Sequence, residues 1–212
     1  MVKLYVEGGG NQNPNLAVQC CKGFTKFLEK AGLAGYLPRI VVCGGRREAY
    51  NDFRIACKNK QTAFLLLDSE MPVEQAPENS DPWKIIRSRE GSGGDKPDGG
   101  MLTPLGATPG HLHLMVQCME AWFLADPDAL KRFFGKGFNE KSLPPAINIE
   151  AITKEKVYGG LKKAAKKTPK GEYSKGDHSF EILGRIDPQK VIAASPWAER
   201  FIAGLKEKMG VV

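Results

Sequence analysis

No apolar run in these 212 residues approaches the ~20 needed to span a bilayer. The first residues, Met1-Val2-Lys3-Leu4-Tyr5-Val6-Glu7, carry a lysine and an acid within a short apolar run, which is unlike a secretory signal and sets the cytosol as the expected compartment. There is no C-x-x-C pair among five cysteines, an odd number, so free, mostly buried thiols are expected rather than a disulfide framework or a zinc site. Only three histidines occur, His111, His113 and His178, and none has the spacing of an H-E-x-x-H site. The P-loop, G-x-G-x-x-G and G-x-S-x-G patterns are also missing, which removes the common nucleotide-binding and hydrolase signatures.

What is present is an ordinary globular composition, 42% hydrophobic, with a net charge of +7. The basic balance weakly favours a polyanionic partner. It is concentrated: seven lysines lie between Lys154 and Lys170, and Lys175 follows just beyond. That density fits a solvated helix face or a phosphate-binding patch equally well.

Residues 2–6, 39–43 and 62–67 read as strands, and 14–31 and 46–58 as helices with one apolar face. The third strand is apolar throughout, as in a parallel sheet covered on both faces. The order β-α-β-α-β predicts an α/β fold with a mainly parallel sheet flanked by helices. A glycine- and proline-rich stretch, 89–110, predicts a long loop. A fourth strand is expected over 111–118, running into a helical MEAWFLAD. Asn13-Pro14, Asp126-Pro127, Asp187-Pro188 and Ser195-Pro196 each resemble a cap followed by a first-turn proline. The C-terminal third therefore reads as mostly helical. The organisation expected is one domain over 1–212, with a sheet core over 1–130 and a helical extension over 131–212.

In an open parallel sheet, ligands bind beyond the carboxyl ends of the strands. Glu7 ends the first strand, and Asp68 ends the third with Glu70 two residues later. Adjacent strands are ~4.8 Å apart, so such acids can share one cation. Hard oxygen ligands suit Mg²⁺ or Mn²⁺. Either acid alone would more often be a solvated turn residue. Gly8-Gly9-Gly10 fits a close phosphate approach or simply a flexible turn. Glu120, set among apolar residues, is expected either to join the acids or to pair with a lysine or arginine. Asp126 is expected to be a helix cap.

These residues resemble a known fold. V-E-G at 6–8 followed by L-L-L-D-S-E at 65–70 is similar to Toprim, the catalytic domain of topoisomerases, primases and overcoming-lysogenization-defect nucleases. The chain more closely resembles a bacterial Toprim-like family, domain of unknown function 4276, through VEGGG (6–10), LLLDSEMPV (65–73), MVQCMEAWFLADPDAL (115–130), YSKGDHSFEILGRIDP (173–188) and SPWAERF (195–201). The resemblance implies Glu7 as general acid/base or metal ligand and Asp68 as metal ligand, with Glu70 standing where Toprim carries a second aspartate. Residues 9–13 offer no further acid, a place Glu120 would have to fill. It implies Mg²⁺- or Mn²⁺-dependent phosphoryl transfer on nucleic acid, with Lys175 and His178 contacting the scissile phosphate and the 154–170 lysines holding the backbone. It also implies a partner ATPase in a bacterial antiviral setting. The alternative is a non-catalytic module that binds nucleic acid or such a partner. A topoisomerase or primase is disfavoured by the chain's length and by the lack of a candidate nucleophilic tyrosine.

Overall fold

A computed structural model describes residues 1–9, 14–89 and 100–211. Strands β1 (Lys3–Val6), β2 (Arg39–Val42), β3 (Ala63–Asp68) and β4 (Leu112–Met115) form one sheet in the order β2-β1-β3-β4, with every pairing parallel. Helices α1 (Pro14–Leu28), α2 (Arg46–Lys58) and α3 (Pro82–Ser88) connect the strands. The C-terminal third holds α4 (Pro127–Phe134), α5 (Lys154–Ala165), α6 (Lys175–Leu183), α7 (Pro188–Ala194) and α8 (Pro196–Met209). The fold is α/β, an all-parallel sheet flanked by helices.

Strand alternation divides the core in two. Leu4, Val6, Phe64 and Leu66 face one side, where they pack with Phe24 and Phe27 of α1 and with the C-terminal helices. Tyr5, Leu65 and Leu67 face the other, against Phe53 of α2 and Trp83 of α3. All six residues of β3 are buried, as its unbroken apolar run requires.

The proline signals mark real helix starts. Asp126, Asp187 and Ser195 cap α4, α7 and α8, each accepting a backbone N–H, and each is followed by proline. Helix α1 begins at Pro14, while the expected Asn13 cap and Gly10 lie outside the described residues. Gly32, in the left-handed conformation, breaks the helical backbone where the expected helix over 14–31 ends. The chain passes through a π-helical turn, Glu29–Leu33, in which Gly32 has φ 94°. The expected fourth strand is shorter, ending at Met115, and the segment expected to be helical is a 3₁₀ helix (Met119–Ala125) with all but its last residue buried. Burial on every side removes the 3.6-residue stripe that normally marks an α-helix. Residues 90–99 of the expected loop lie outside the described residues.

All five cysteines are free. Cys20, Cys43 and Cys118 are buried, and Cys21 and Cys57 half-buried. No helix among the described residues is long and apolar enough to cross a membrane.

Candidate functional site

The site lies beyond the carboxyl ends of β1, β3 and β4. Glu7 follows β1, and its backbone N–H donates to the Leu66 carbonyl at 3.2 Å. Asp68 closes β3 opposite Met115 of β4. Two further bonds tie the chain after β3 to that after β4: Ser69 N–H to the Met115 carbonyl at 2.9 Å and Glu70 N–H to the Gln117 carbonyl at 3.0 Å. Sheet geometry thus fixes where Glu7, Asp68 and Glu70 sit.

Between these strand ends and α6 is a cavity of about 380 Å³. Glu7, Asp68, Met119, Lys175 and the glycines Gly8 and Gly9 line it. Gly9 has φ 80°, and a Cβ there would fall 2.4 Å from Val42 Cγ1, so both backbone angle and space call for glycine.

Each carboxylate has its own environment. Asp68 is buried, and its Oδ1 accepts the Met119 N–H at 2.9 Å. Burial first, then the nearby charge of Glu7, push its pKa up to about 8, although Lys175 works against the rise. The Glu7 pKa is likewise raised by burial against the pull of Arg46, whose Nη2 lies 3.7 Å from Glu7 Oε2. Arg46 also donates to the Asp68 carbonyl, joining the ends of β1 and β3 from the start of α2. Glu70 has φ 61°, strained for a side-chain-bearing residue, and its Oε2 meets Lys154 Nζ at 2.5 Å. Burial lowers the Lys154 pKa, but the bond to Glu70 and the charge of Asp68 outweigh it and leave it raised.

Glu120 is fully buried. Tyr173 donates to its Oε1 at 3.0 Å, and Lys175 Nζ lies 4.0 Å from the same oxygen. The two alternatives open for Glu120 coexist, because it faces lysine and also adds to the negative field on Asp68. Glu7 Oε2 and Glu120 Oε2 are both buried with no hydrogen-bond partner. Such orphaned carboxylate oxygens are costly unless a positive charge is supplied.

Of the six expected catalytic residues, Glu7, Asp68, Glu70, Glu120 and Lys175 share this electrostatic neighbourhood. His178 does not. Its ring packs against Phe133, Phe134 and Tyr173, and its Nδ1 accepts the Ser174 N–H at 3.1 Å. On α6, His178 lies three residues from Lys175, and neighbours at that spacing share a broad face, but the aromatic cluster takes the imidazole away from the cavity. Asp126 is a helix cap, as expected.

Arg46 and Tyr173 are site residues that sequence reasoning missed, and Lys154, expected among the lysines holding a nucleic-acid backbone, instead pairs with Glu70. Each stands far in sequence from the acid it serves. Three cations, Arg46, Lys154 and Lys175, thereby answer four carboxylates. Among the described residues, no three His, Cys, Asp or Glu side chains converge as a ready ligand set for a metal ion.

The family described as Domain of unknown function (DUF4276) matches residues 12–206. The chain belongs to that family. No curated protein and no solved structure gives a significant match. The matched span includes β3 with Asp68 and Glu70, the Glu120 segment and all of α6, whereas Glu7 lies just outside it.

Proposed function

We propose that the acidic cavity binds a divalent cation, Mg²⁺ or Mn²⁺, on a Toprim-like scaffold, and that the protein is a nuclease or related phosphoryl-transfer enzyme acting on nucleic acid. The observation that carries this reading is the convergence on the buried Asp68 of two further acids, Glu120 and Glu7, the latter with a buried oxygen that makes no hydrogen bond and only a 3.7 Å ion pair with Arg46. Glu7 and Asp68, the two acids that line the cavity, would hold the cation, with water completing its shell; Glu70 would join them only on release from Lys154, and Glu120 adds negative charge nearby. A cation there supplies charge neutralisation and a more acidic water.

The chain's own residues set the rest. Lys175, half-exposed on the cavity wall, is placed to meet an anionic phosphate. Arg46 holds Glu7, and Lys154 holds Glu70. Lys162, Lys163, Lys166 and Lys167 on and just after α5 are exposed, and Lys154 at the start of that helix reaches the acids. This basic run would hold a phosphodiester backbone leading to the cavity. The family resemblance extends the reading to a bacterial defence effector working with an ATPase.

A specific observation favours a second reading. Arg46, Lys154 and Lys175 already balance much of the acidic charge, as a non-catalytic module binding nucleic acid or a partner would require. A cleavage assay with Mn²⁺ on single- and double-stranded DNA and RNA separates the two. The nuclease reading predicts cleavage that Asp68→Asn abolishes while nucleic-acid binding persists. Metal-independent, salt-sensitive binding without cleavage would establish the second reading.

A further inference from the structure

A second cavity, of about 430 Å³, lies at the opposite end of β4 from the acids. Arg200, Gly204 and Lys208, spaced four residues apart on one face of α8, line it together with His111, His113 and Phe64. The two imidazoles alternate along the chain and both lie against the Phe64 ring, at centroid separations of 6.1 and 5.2 Å.

The hydrogen bonds assign both tautomers. His113 Nδ1 lies 3.2 Å from Arg200 Nη1, and a guanidinium only donates, so the neutral ring carries its proton on Nε2. His111 Nδ1 accepts the Thr108 N–H at 3.0 Å, which places its proton on Nε2 as well. Burial, then the charge of Arg200, push the His113 pKa down to about 3, so the ring stays neutral at physiological pH. His113 is 1% exposed, and its Nε2 has no hydrogen-bond partner. An orphaned buried donor costs about 1–3 kcal/mol, which argues for an acceptor not supplied by the chain.

Gly204 points the same way. A glycine inside a helix costs about 1 kcal/mol relative to alanine. A Cβ at this position would lie 3.2 Å from His113 Cε1 and 3.5 Å from Nε2, so any side chain here would press on the ring edge that carries the orphaned donor.

We infer that this cavity is a binding site for the phosphoryl group of a small molecule, with the Nε2–H groups of His113 and His111 and the ammonium of Lys208 as donors. Donors arriving from both a strand and a helix suit a tetrahedral oxyanion better than the two coplanar oxygens of a carboxylate. Arg200 is already engaged with the carbonyls of Leu112 and Pro109 and serves to fix His113. Glu207, exposed on the cavity's lining, opposes an anion and tunes the affinity downward.

The test is an imidazole ¹⁵N NMR titration of the full chain with inorganic phosphate, and with acetate in parallel. A saturable shift of His113 Nε2 with phosphate and none with acetate is expected. Lys208→Glu, at an exposed position on α8, should weaken phosphate binding roughly tenfold or more, equivalent to about 1.4 kcal/mol, with folding checked by circular dichroism. Glu207→Gln should strengthen it. A His113 resonance that phosphate leaves unmoved, an equal response to acetate, or undiminished binding in Lys208→Glu would overturn the assignment.

Discussion

The Tyr173 hydroxyl donates to one oxygen of Glu120 at 3.0 Å, while the other oxygen of that carboxylate is buried with no hydrogen bond. Burial and the neighbouring Glu120 push the Tyr173 pKa up, so the hydroxyl keeps the proton it donates. Tyr173→Phe removes the bond and leaves a second buried oxygen without one. A loss of about 1–3 kcal/mol in urea unfolding is expected. No measurable loss would mean that Glu120 is hydrated in solution.

Asp68 burdens the fold at high pH. Its folded-state pKa, about 8, lies above the unfolded value, so between the two the folded protein holds the extra proton. Stability therefore falls as pH rises from about 4 to about 8. Asp68→Asn cannot ionise and keeps the acceptor that Met119 N–H uses. Thermal melts should show the variant more stable than wild type at pH 8 and above, with the difference shrinking toward pH 5. Equal slopes with pH would show that Asp68 titrates normally.

Glu70 holds a backbone angle that glycine adopts freely. Replacing it with glycine relieves about 1 kcal/mol or more of strain and removes a partly exposed ion pair with Lys154 worth about 0–1 kcal/mol. Chemical denaturation of Glu70→Gly should therefore differ from wild type by no more than about 1 kcal/mol. Loss of metal response in a variant of unchanged stability would place the value of this carboxylate in its charge. A large destabilisation would make Glu70 a structural residue.

Asp126 is the contrasting acid. It accepts the Ala129 N–H at 3.3 Å, the Asp187 N–H at 3.0 Å and Lys190 Nζ at 2.6 Å, and so joins the start of α4 to that of α7. Burial alone would raise its pKa, but Lys190 and the Asp187 amide outweigh it and lower it. The stabilisation is present above the unfolded pKa of about 3.9 and is lost as pH falls through the lower folded value. Asp126→Ala should cost about 2 kcal/mol or more at neutral pH. In acid titrations followed by circular dichroism, the difference from wild type should shrink below pH 4.

Much of the scaffold is legible in the sequence, because strand runs and capped helices are local patterns. The apolar run before Asp68 marks a central buried strand, and the caps at Asp126, Asp187 and Ser195 each precede a proline. Helix α3 carries the same signal at Asp81-Pro82, but its seven residues are too few to show a period. The site is legible only as far as its strands place it. Glu7, Asp68 and Glu70 follow from strand ends, whereas the Lys154–Glu70 contact joins residues 84 apart in sequence. The position of His178 beside Lys175 reads as functional until Phe133, Phe134 and Tyr173 are seen to enclose its ring.

The most direct test of the account is a calorimetric titration of Mn²⁺ into wild type and Asp68→Asn at pH 7.5. Saturable binding to wild type that disappears in the folded variant is the predicted result. Absence of binding to wild type, or equal binding to both proteins, would contradict a cation site built on Asp68.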